Sequence, residues 1–289
     1  MGVPTIRLDG FRDITREAKL LHDPVSGADP KVWIELNGQR YLLKLDGGQV
    51  YSEHVGSAFY NKMGIRAQRT ELVLFHGHTC CLIANIIPRG RELRTFKCAH
   101  DSSFWSSPNN FDQQGYTFEA VLNTLDNYAK ADLRFVQQLE SQFLEMFVLD
   151  AILANRDRHG GNWGYLVSKD GSRGTCPVFD NGACLFPDFE IGCAELSKQD
   201  WYRLVIDSPK SQVQFTAGKK NTFNNLFQKC RDKLDTNWIS EEWVARSIED
   251  ATAGLDWSRQ FFYRTLVMLR YLCIVKGVPF NEAYKVYCP

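Results

Sequence analysis

Residues 155–166 read NRDRHGGNWGYL and residues 177–182 read PVFDNG, and these two stretches decide the reading of the chain. Asp157 stands five positions before Asn162 in a polar loop that leaves an apolar run, 147–154. A short hairpin, expected with strands at 163–168 and 175–179 around the turn KDGSRG, returns Asp180 to the side of that loop. A carboxylate, a carboxamide and a second carboxylate so gathered can hold a cation against phosphate groups and orient an attacking hydroxyl. Those are the two tasks of phosphoryl transfer. Each piece also has a plainer reading. DRHGGN is equally a solvated loop closed by its own side-chain turns, and Asp180-Asn181-Gly182 is equally a turn. His159 fits a histidine bonded to the loop backbone better than a metal ligand.

Upstream, residues 31–45, KVWIELNGQRYLLKL, alternate apolar and polar on either side of Asn37-Gly38, the pair suited to a type I′ turn, and predict a β-hairpin. Near its end Lys44 points away from Leu43 and Leu45, toward a cleft. A lysine so placed is either a snorkelling edge residue or the cation of a nucleotide-binding β-lobe. A helical period begins at Ser52, which can cap, sets Val55, Phe59 and Met63 on one face and stops at Gly64 in the left-handed conformation. Glu53, in its first turn, can pair with Lys44. A second β-pair is expected at 71–75 and 79–87, closed by Pro88. Before the first hairpin, VSGADPK at 25–31 is a small-residue turn suited to close backbone approach over phosphates, although such dipeptides occur in turns of every kind.

The chain then divides into a small β-rich lobe, 1–88, and a larger, mainly helical lobe, 89–289. Helical periods run at 118–128, 133–154, 224–234, 241–248 and 258–275. In the second of these, Phe135, Leu139, Phe143 and Met146 form the buried stripe. Residues 203–215, RLVIDSPKSQVQF, read as a solvated connector or as an exposed loop near an acceptor site.

The 289 residues carry 34 basic and 34 acidic side chains, a balance that argues against a nucleic-acid coat or a polybasic membrane anchor. Hydrophobic residues make up 44%, enough to bury a core and exclude disorder as the main state. The longest apolar stretches, 147–154 and 266–275, contain Asp150 and Arg270 and are too short to span a bilayer. The start, MGVPTIRLDGFRD, lacks the apolar core of an export signal, so a soluble cytoplasmic protein is expected. Nine cysteines with no CxxC pair fit free thiols in a reducing compartment. Cys176, Cys184 and Cys193 lack the ligand spacing of zinc modules.

Taken together, VSGADPK, YLLKL, YSEHVGSAFYNKMGI, FLEMFVLDAILANRDRHGGNWGYL and PVFDNGACLFP resemble the HipA-like serine/threonine kinases, most closely their cell-translocating kinase A branch. The Asp-to-Asn spacing is that of the protein-kinase catalytic loop. Here, however, the order is Asp157-Arg158-His159 in place of His-Arg-Asp. The resemblance, which covers roughly residues 20–190, implies an α+β, two-lobed protein-kinase-like fold with ATP and Mg2+ between the lobes. It also implies a protein substrate with a Ser or Thr hydroxyl. Carried over by motif, Asp157 is the catalytic base, Asn162 and Asp180 hold magnesium, Lys44 meets the ATP phosphates and Glu53 orients Lys44. Ser26 and Gly27 belong to the phosphate turn, and Ser26 stands where these kinases carry a serine that they phosphorylate on themselves. Ala84, Asn85, Ile86 and Ile87 form the hinge. A small-molecule or lipid kinase, or a nucleotide-binding scaffold without activity, are the other readings of the same residues. With some twenty residues ahead of VSGADPK, the N-terminal subdomain of HipA toxins is not expected.

Overall fold

The computed structural model describes residues 10–24, 30–45, 47–97, 116–129, 132–189 and 196–288. Ser26 and Gly27, and with them most of the phosphate turn, lie outside the described residues. A six-stranded sheet contains β1 (Arg12–Asp13), β2 (Lys19–Leu21), β3 (Lys31–Leu36), β4 (Gln39–Leu45), β5 (Thr70–Phe75) and β6 (His78–Ala84), in the order β1-β5-β6-β4-β3-β2. The β3–β4 hairpin turns at Asn37 and Gly38 with φ 52° and 74°, the two positive values of a type I′ turn. Strand β6 stops at Ala84, three residues before the expected end at 87, and residues 85–87 leave the sheet as an unpaired connector.

Helix α1 (Gly48–Lys62) follows β4. It starts four residues ahead of the expected cap. Gly47 takes the cap position, and Ser52 lies buried inside the helix. Its C-terminus matches the expectation. Gly64 has φ 77°, its N–H donates to Asn61 O and the Ile65 N–H donates to Tyr60 O, which is a Schellman closure. Val50, Val55, Phe59, Tyr60 and Met63 of α1 join the large apolar core of the helical part, while Ile34, Leu43, Val73 and Leu82 form a smaller core within the sheet. Through α1, the sheet therefore rests on the same packed interior as the helices beneath it.

The helical part contains α2 (Phe118–Ala129), α3 (Leu133–Leu153), α4 (Lys198–Tyr202), α5 (Phe223–Cys230), α6 (Glu241–Ala251), α7 (Trp257–Arg270) and α8 (Phe280–Tyr287). The α3 stripe of Phe135, Leu139, Phe143 and Met146 is buried as expected, and its last turns are buried on all sides. A second sheet orders β7 (Arg91–Thr95), β8 (Gly164–Ser168) and β9 (Arg173–Thr175). β7 was not expected, because RELRT has no apolar alternation and finds its partner about seventy residues away. The expected strand 175–179 is also shorter. β9 ends at Thr175, and Val178 instead makes a single parallel bridge with Ala67.

Residues 203–215 are not a solvated connector but a partly buried segment, of which 207–210 and 212 line the cleft that contains Asp157. Arg203–Asp207 coil as a π-helical turn, and Leu204, Val205, Ser211 and Val213 are buried. The cause is Arg270 at the end of α7. Its buried guanidinium donates to the carbonyls of Ala151 (2.9 Å), Leu204 (2.8 Å), Val205 (3.0 Å) and Ser208 (2.9 Å). Burial pulls its pKa down to about 9. Among the described residues, no helix is long and apolar enough to cross a membrane. The described cysteines are free thiols, six of them buried.

Candidate active site

Lys44 is the hub of the site. It is the penultimate residue of β4, paired across the sheet with Cys81 and Lys31, and its Nζ lies 2.5 Å from Glu53 Oε2 and 3.0 Å from Asp180 Oδ1. Burial works against the ammonium, but the two carboxylates more than offset it and raise its pKa above the ordinary lysine value. Glu53 is fully buried on α1, where an unpaired carboxylate would be costly. It is satisfied on both oxygens, since Oε1 accepts from the Asn181 N–H at 2.9 Å and from Gln68 Nε2. Burial tends to raise the Asp180 pKa. Lys44 first, then Arg158 and Lys31, override that and hold it below the usual carboxylate range.

Asp180 sits in the left-handed region at φ 58°, and Gly182 packs so close that an added Cβ would lie 3.0 Å from Lys44 Nζ. The Asp-Asn-Gly turn thus carries Asp180 directly against Lys44.

Asp157 and Asn162 come from the loop after α3. Ala154 ends that helix at φ 57° with its N–H on Asp150 O, and Asn155 Oδ1 then accepts from the Asp157 N–H. Asn162 Nδ2 donates to Asp157 O at 2.9 Å, which leaves the amide oxygen as the group available to a cation. His159 Nδ1 accepts from the Gly161 N–H at 3.0 Å, the backbone-bonded role the sequence favoured.

Arg158, which reads from sequence as part of a solvated loop, is a buried clamp. It meets Asp150 through Nε at 2.9 Å and Nη2 at 3.3 Å, Asn162 O at 2.8 Å, Phe179 O at 2.5 Å and Asn181 Oδ1 at 2.5 Å. One guanidinium therefore ties the Asp157–Asn162 loop to the Asp180 turn. Asp150 also accepts from Tyr60 OH (2.7 Å) and Asn155 Nδ2 (3.0 Å). Sequence reasoning missed Asp150, Arg158, Gln68 and Asn181 as site-builders. The available signal was a lone carboxylate in the otherwise apolar run 147–154, which demands a buried partner.

Two neighbouring spaces, sharing Lys31, Leu93, Phe179 and Asp180 in their walls, flank this hub. An apolar recess of about 180 Å³ is lined by Trp33, Leu42, Ile83 and the whole connector Ala84, Asn85, Ile86 and Ile87, with Lys44 and Asp180 at its edge. A wider cleft of about 1080 Å³ holds Asp157, Asn162 and Asp180 together with Lys31 and residues 207–210 and 212. The sequence-predicted residues Lys44, Glu53, Asp157, Asn162, Asp180 and 84–87 are thus brought to one place. Ser26 and Gly27 cannot be assigned to it, being outside the described residues.

A carboxylate and an amide oxygen suit magnesium, which takes one or two protein oxygens and completes its shell with phosphate and water. Among the described residues no three His, Cys, Asp or Glu side chains gather around a point, so a cage made of protein ligands alone is not built here.

A curled sheet covering a helical body, with a Lys–Glu pair above an Asp-Asn-Asp set, is the kinase-like architecture. The family model for the HipA-like C-terminal domain matches residues 24–252, and the chain belongs to that family. The serine/threonine-protein kinase CtkA of Helicobacter pylori (strain J99) is 29% identical over 189 residues, 63% of this chain and 56% of that protein. The alignment thus spans little more than half of that relative. The crystal structure of the H. pylori proinflammatory kinase CtkA matches with a TM-score of 0.76 at 20% identity, over 96% of this chain and 98% of that one. HipA of Shewanella oneidensis MR-1, solved with HipB and operator DNA, matches with a TM-score of 0.53 at 14% identity, over 99% and 70%. At these identities the two structures show the fold.

Proposed function

We propose that the protein is an ATP- and Mg2+-dependent phosphotransferase acting on the Ser or Thr hydroxyl of a protein, with its lobes divided near residue 88. The observation that carries this reading is Lys44, held between Glu53 and Asp180 at the apolar recess, with Asp180 also lining the cleft that contains Asp157. The recess by residues 84–87 accepts the base, and the backbone of the connector offers its hydrogen bonds. Lys44 neutralises phosphate charge, and Glu53 keeps its ammonium at that point. Asp157 orients the acceptor hydroxyl and takes its proton. Asn162 and Asp180 would hold magnesium, which supplies charge neutralisation between the transferring and leaving phosphates.

The test is incubation of the purified protein with Mg2+ and γ-labelled ATP, alone and with a cell lysate. Label is expected on protein, and mass spectrometry reads whether Ser26 of the enzyme itself is among the acceptors or only caps its turn. Label found only on lipid or small molecules would move the acceptor class, and no ATP turnover at all would leave a binding scaffold.

A further inference from the structure

We propose that Gln212 is a positioning residue for Asp157 and fixes which of its carboxylate oxygens receives the acceptor proton. The inference rests on the phosphotransfer reading and extends it. Gln212 Nε2 donates to Asp157 Oδ1 across 3.3 Å, although the two residues are 55 positions apart.

The backbone carrying Gln212 is held on every side. The Ser211 N–H donates to Asn221 O at 3.0 Å, the Gln214 N–H donates to Tyr116 O at 2.8 Å, and Arg270 grips Ser208 O at 2.9 Å. Ser211 and Val213 are buried on one side, while Lys210 and Gln212 line the cleft on the other. The backbone bends at Gln212 and Val213, the carboxamide meets Asp157, and the pinned backbone keeps it there.

The consequence is an asymmetry in Asp157. Oδ1 takes the Gln212 hydrogen bond, which leaves Oδ2, with His159 Nε2 4.0 Å away, as the oxygen for the acceptor. In the transfer step the acceptor O–H proton goes to Oδ2. The acceptor oxygen bonds to the γ-phosphorus, and the bond from that phosphorus to the bridging oxygen of ADP breaks with its electron pair. A neutral amide suits this place, because it orients the carboxylate without adding a cation that would weaken it as a base. Nothing in the local sequence SPKSQVQF announces the role, since the pairing exists only after Arg270 and Tyr116 have set the backbone.

The experiment measures single-turnover transfer from Mg-ATP to a Ser/Thr peptide library randomised around the hydroxyl, and to water. Gln212→Ala should lower the rate about tenfold, as expected for one lost hydrogen bond to a charged group. The KM for ATP, the thermal shift with Mg-ATP and the melting temperature should not change. Gln212→Glu keeps the shape but replaces the donor with a second carboxylate facing Asp157, and it should lose more than Gln212→Ala. Gln212→Arg restores a donor and should lose less than Gln212→Glu. In an Asp157→Asn background, Gln212→Ala should cause no further loss.

Wild-type rates in Gln212→Ala, or Gln212→Glu as active as wild type, would overturn the inference and leave the phosphotransfer reading standing. A wild-type protein that transfers to neither peptide nor water would overturn both.

Discussion

Asp150 and Asp157 lie seven residues apart on one stretch of chain and have opposite surroundings. The Asp150 side chain is 2% exposed and takes hydrogen bonds from Tyr60, Asn155 and Arg158. The Asp157 side chain is 48% exposed and is met by Gln212 at 3.3 Å and by His159 at 4.0 Å. The helix ends between them, at Ala154. One carboxylate therefore builds the loop, and the other is presented by it. The difference predicts that the first governs stability and the second governs rate, because a buried ion pair cannot lose a partner cheaply whereas an exposed, lightly held group can.

The largest effect should come from breaking the buried member. Asp150→Ala leaves the Arg158 guanidinium buried and unpaired, and should cost about 3–5 kcal/mol of folding stability. Denaturant unfolding measures it. A loss under 1 kcal/mol would mean that Arg158 finds its compensation elsewhere and that the two loops are not joined through Asp150.

Asp157→Asn tests the exposed member. The variant should unfold at the wild-type denaturant midpoint and bind Mg-ATP as before, while transfer falls about a hundredfold or more because the base acts only in the transition state. Steady-state rates with a matching unfolding curve decide this. If the variant kept the wild-type rate, or lost stability comparable to Asp150→Ala, the division of labour between the two aspartates would fail.

The same contrast explains how much was legible beforehand. Asn37-Gly38, Gly64, Lys44 with Glu53, and the 157–162–180 set could be read, because turn chemistry and short spacings act locally. α3 was readable as a helix because its stripe of Phe135, Leu139, Phe143 and Met146 repeats with the helical period. What escaped was non-local. RELRT is a strand only because Gly164–Ser168 lies beside it, and Arg158 is a clamp only because Asp150 and the Phe179 carbonyl close around it. Residues 203–215 looked solvated because their polar backbone groups are met by Arg270, more than fifty positions downstream. The early start of α1 was hidden by Ser52, a good cap residue that proves to be buried inside the helix.

A third test moves to the other half of the site, where the charges are buried in both partners. Lys44→Met alone would strand the Glu53 carboxylate, so the informative variant is Lys44→Met with Glu53→Gln, which removes both charges and keeps their volume. It should lose less stability than Lys44→Met alone, since the carboxylate left without its lysine is then Asp180, whose side chain is 38% exposed, and not the buried Glu53. Binding of Mg-ATP should nevertheless weaken by about 2 kcal/mol, the scale of a lost charge-assisted contact. Thermal-shift titrations, each referred to the variant's own ligand-free melting temperature, read the difference. Equal shifts with Mg-ATP would take Lys44 out of the nucleotide site and leave it as scaffold, on the Asp150 side of the comparison.

The smallest effect is expected next to Glu53, at His54. Its Nδ1 lies 3.1 Å from Thr70 Oγ1, and burial lowers its pKa below the usual histidine value, with a hydrogen bond to the Thr70 backbone opposing but not cancelling the shift. The folded protein therefore resists protonating this ring, while the unfolded chain accepts a proton at about pH 6.5. Below that pH the unfolded state binds more protons, so stability rises with pH in this window and is lost as pH falls from about 6.5 through the folded value. Above it, both states are neutral at His54 and the contribution is flat. Unfolding free energies of wild type and His54→Gln, compared between pH 5 and 7.5, isolate the group from every other one that titrates. The two curves should run parallel above pH 7 and diverge below 6.5, wild type falling more steeply by at most about 1.4 kcal/mol per pH unit. Curves that stay parallel to pH 5 would show His54 to be protonated without penalty in the fold. α1 would then present Glu53 from a looser helix than its packing implies.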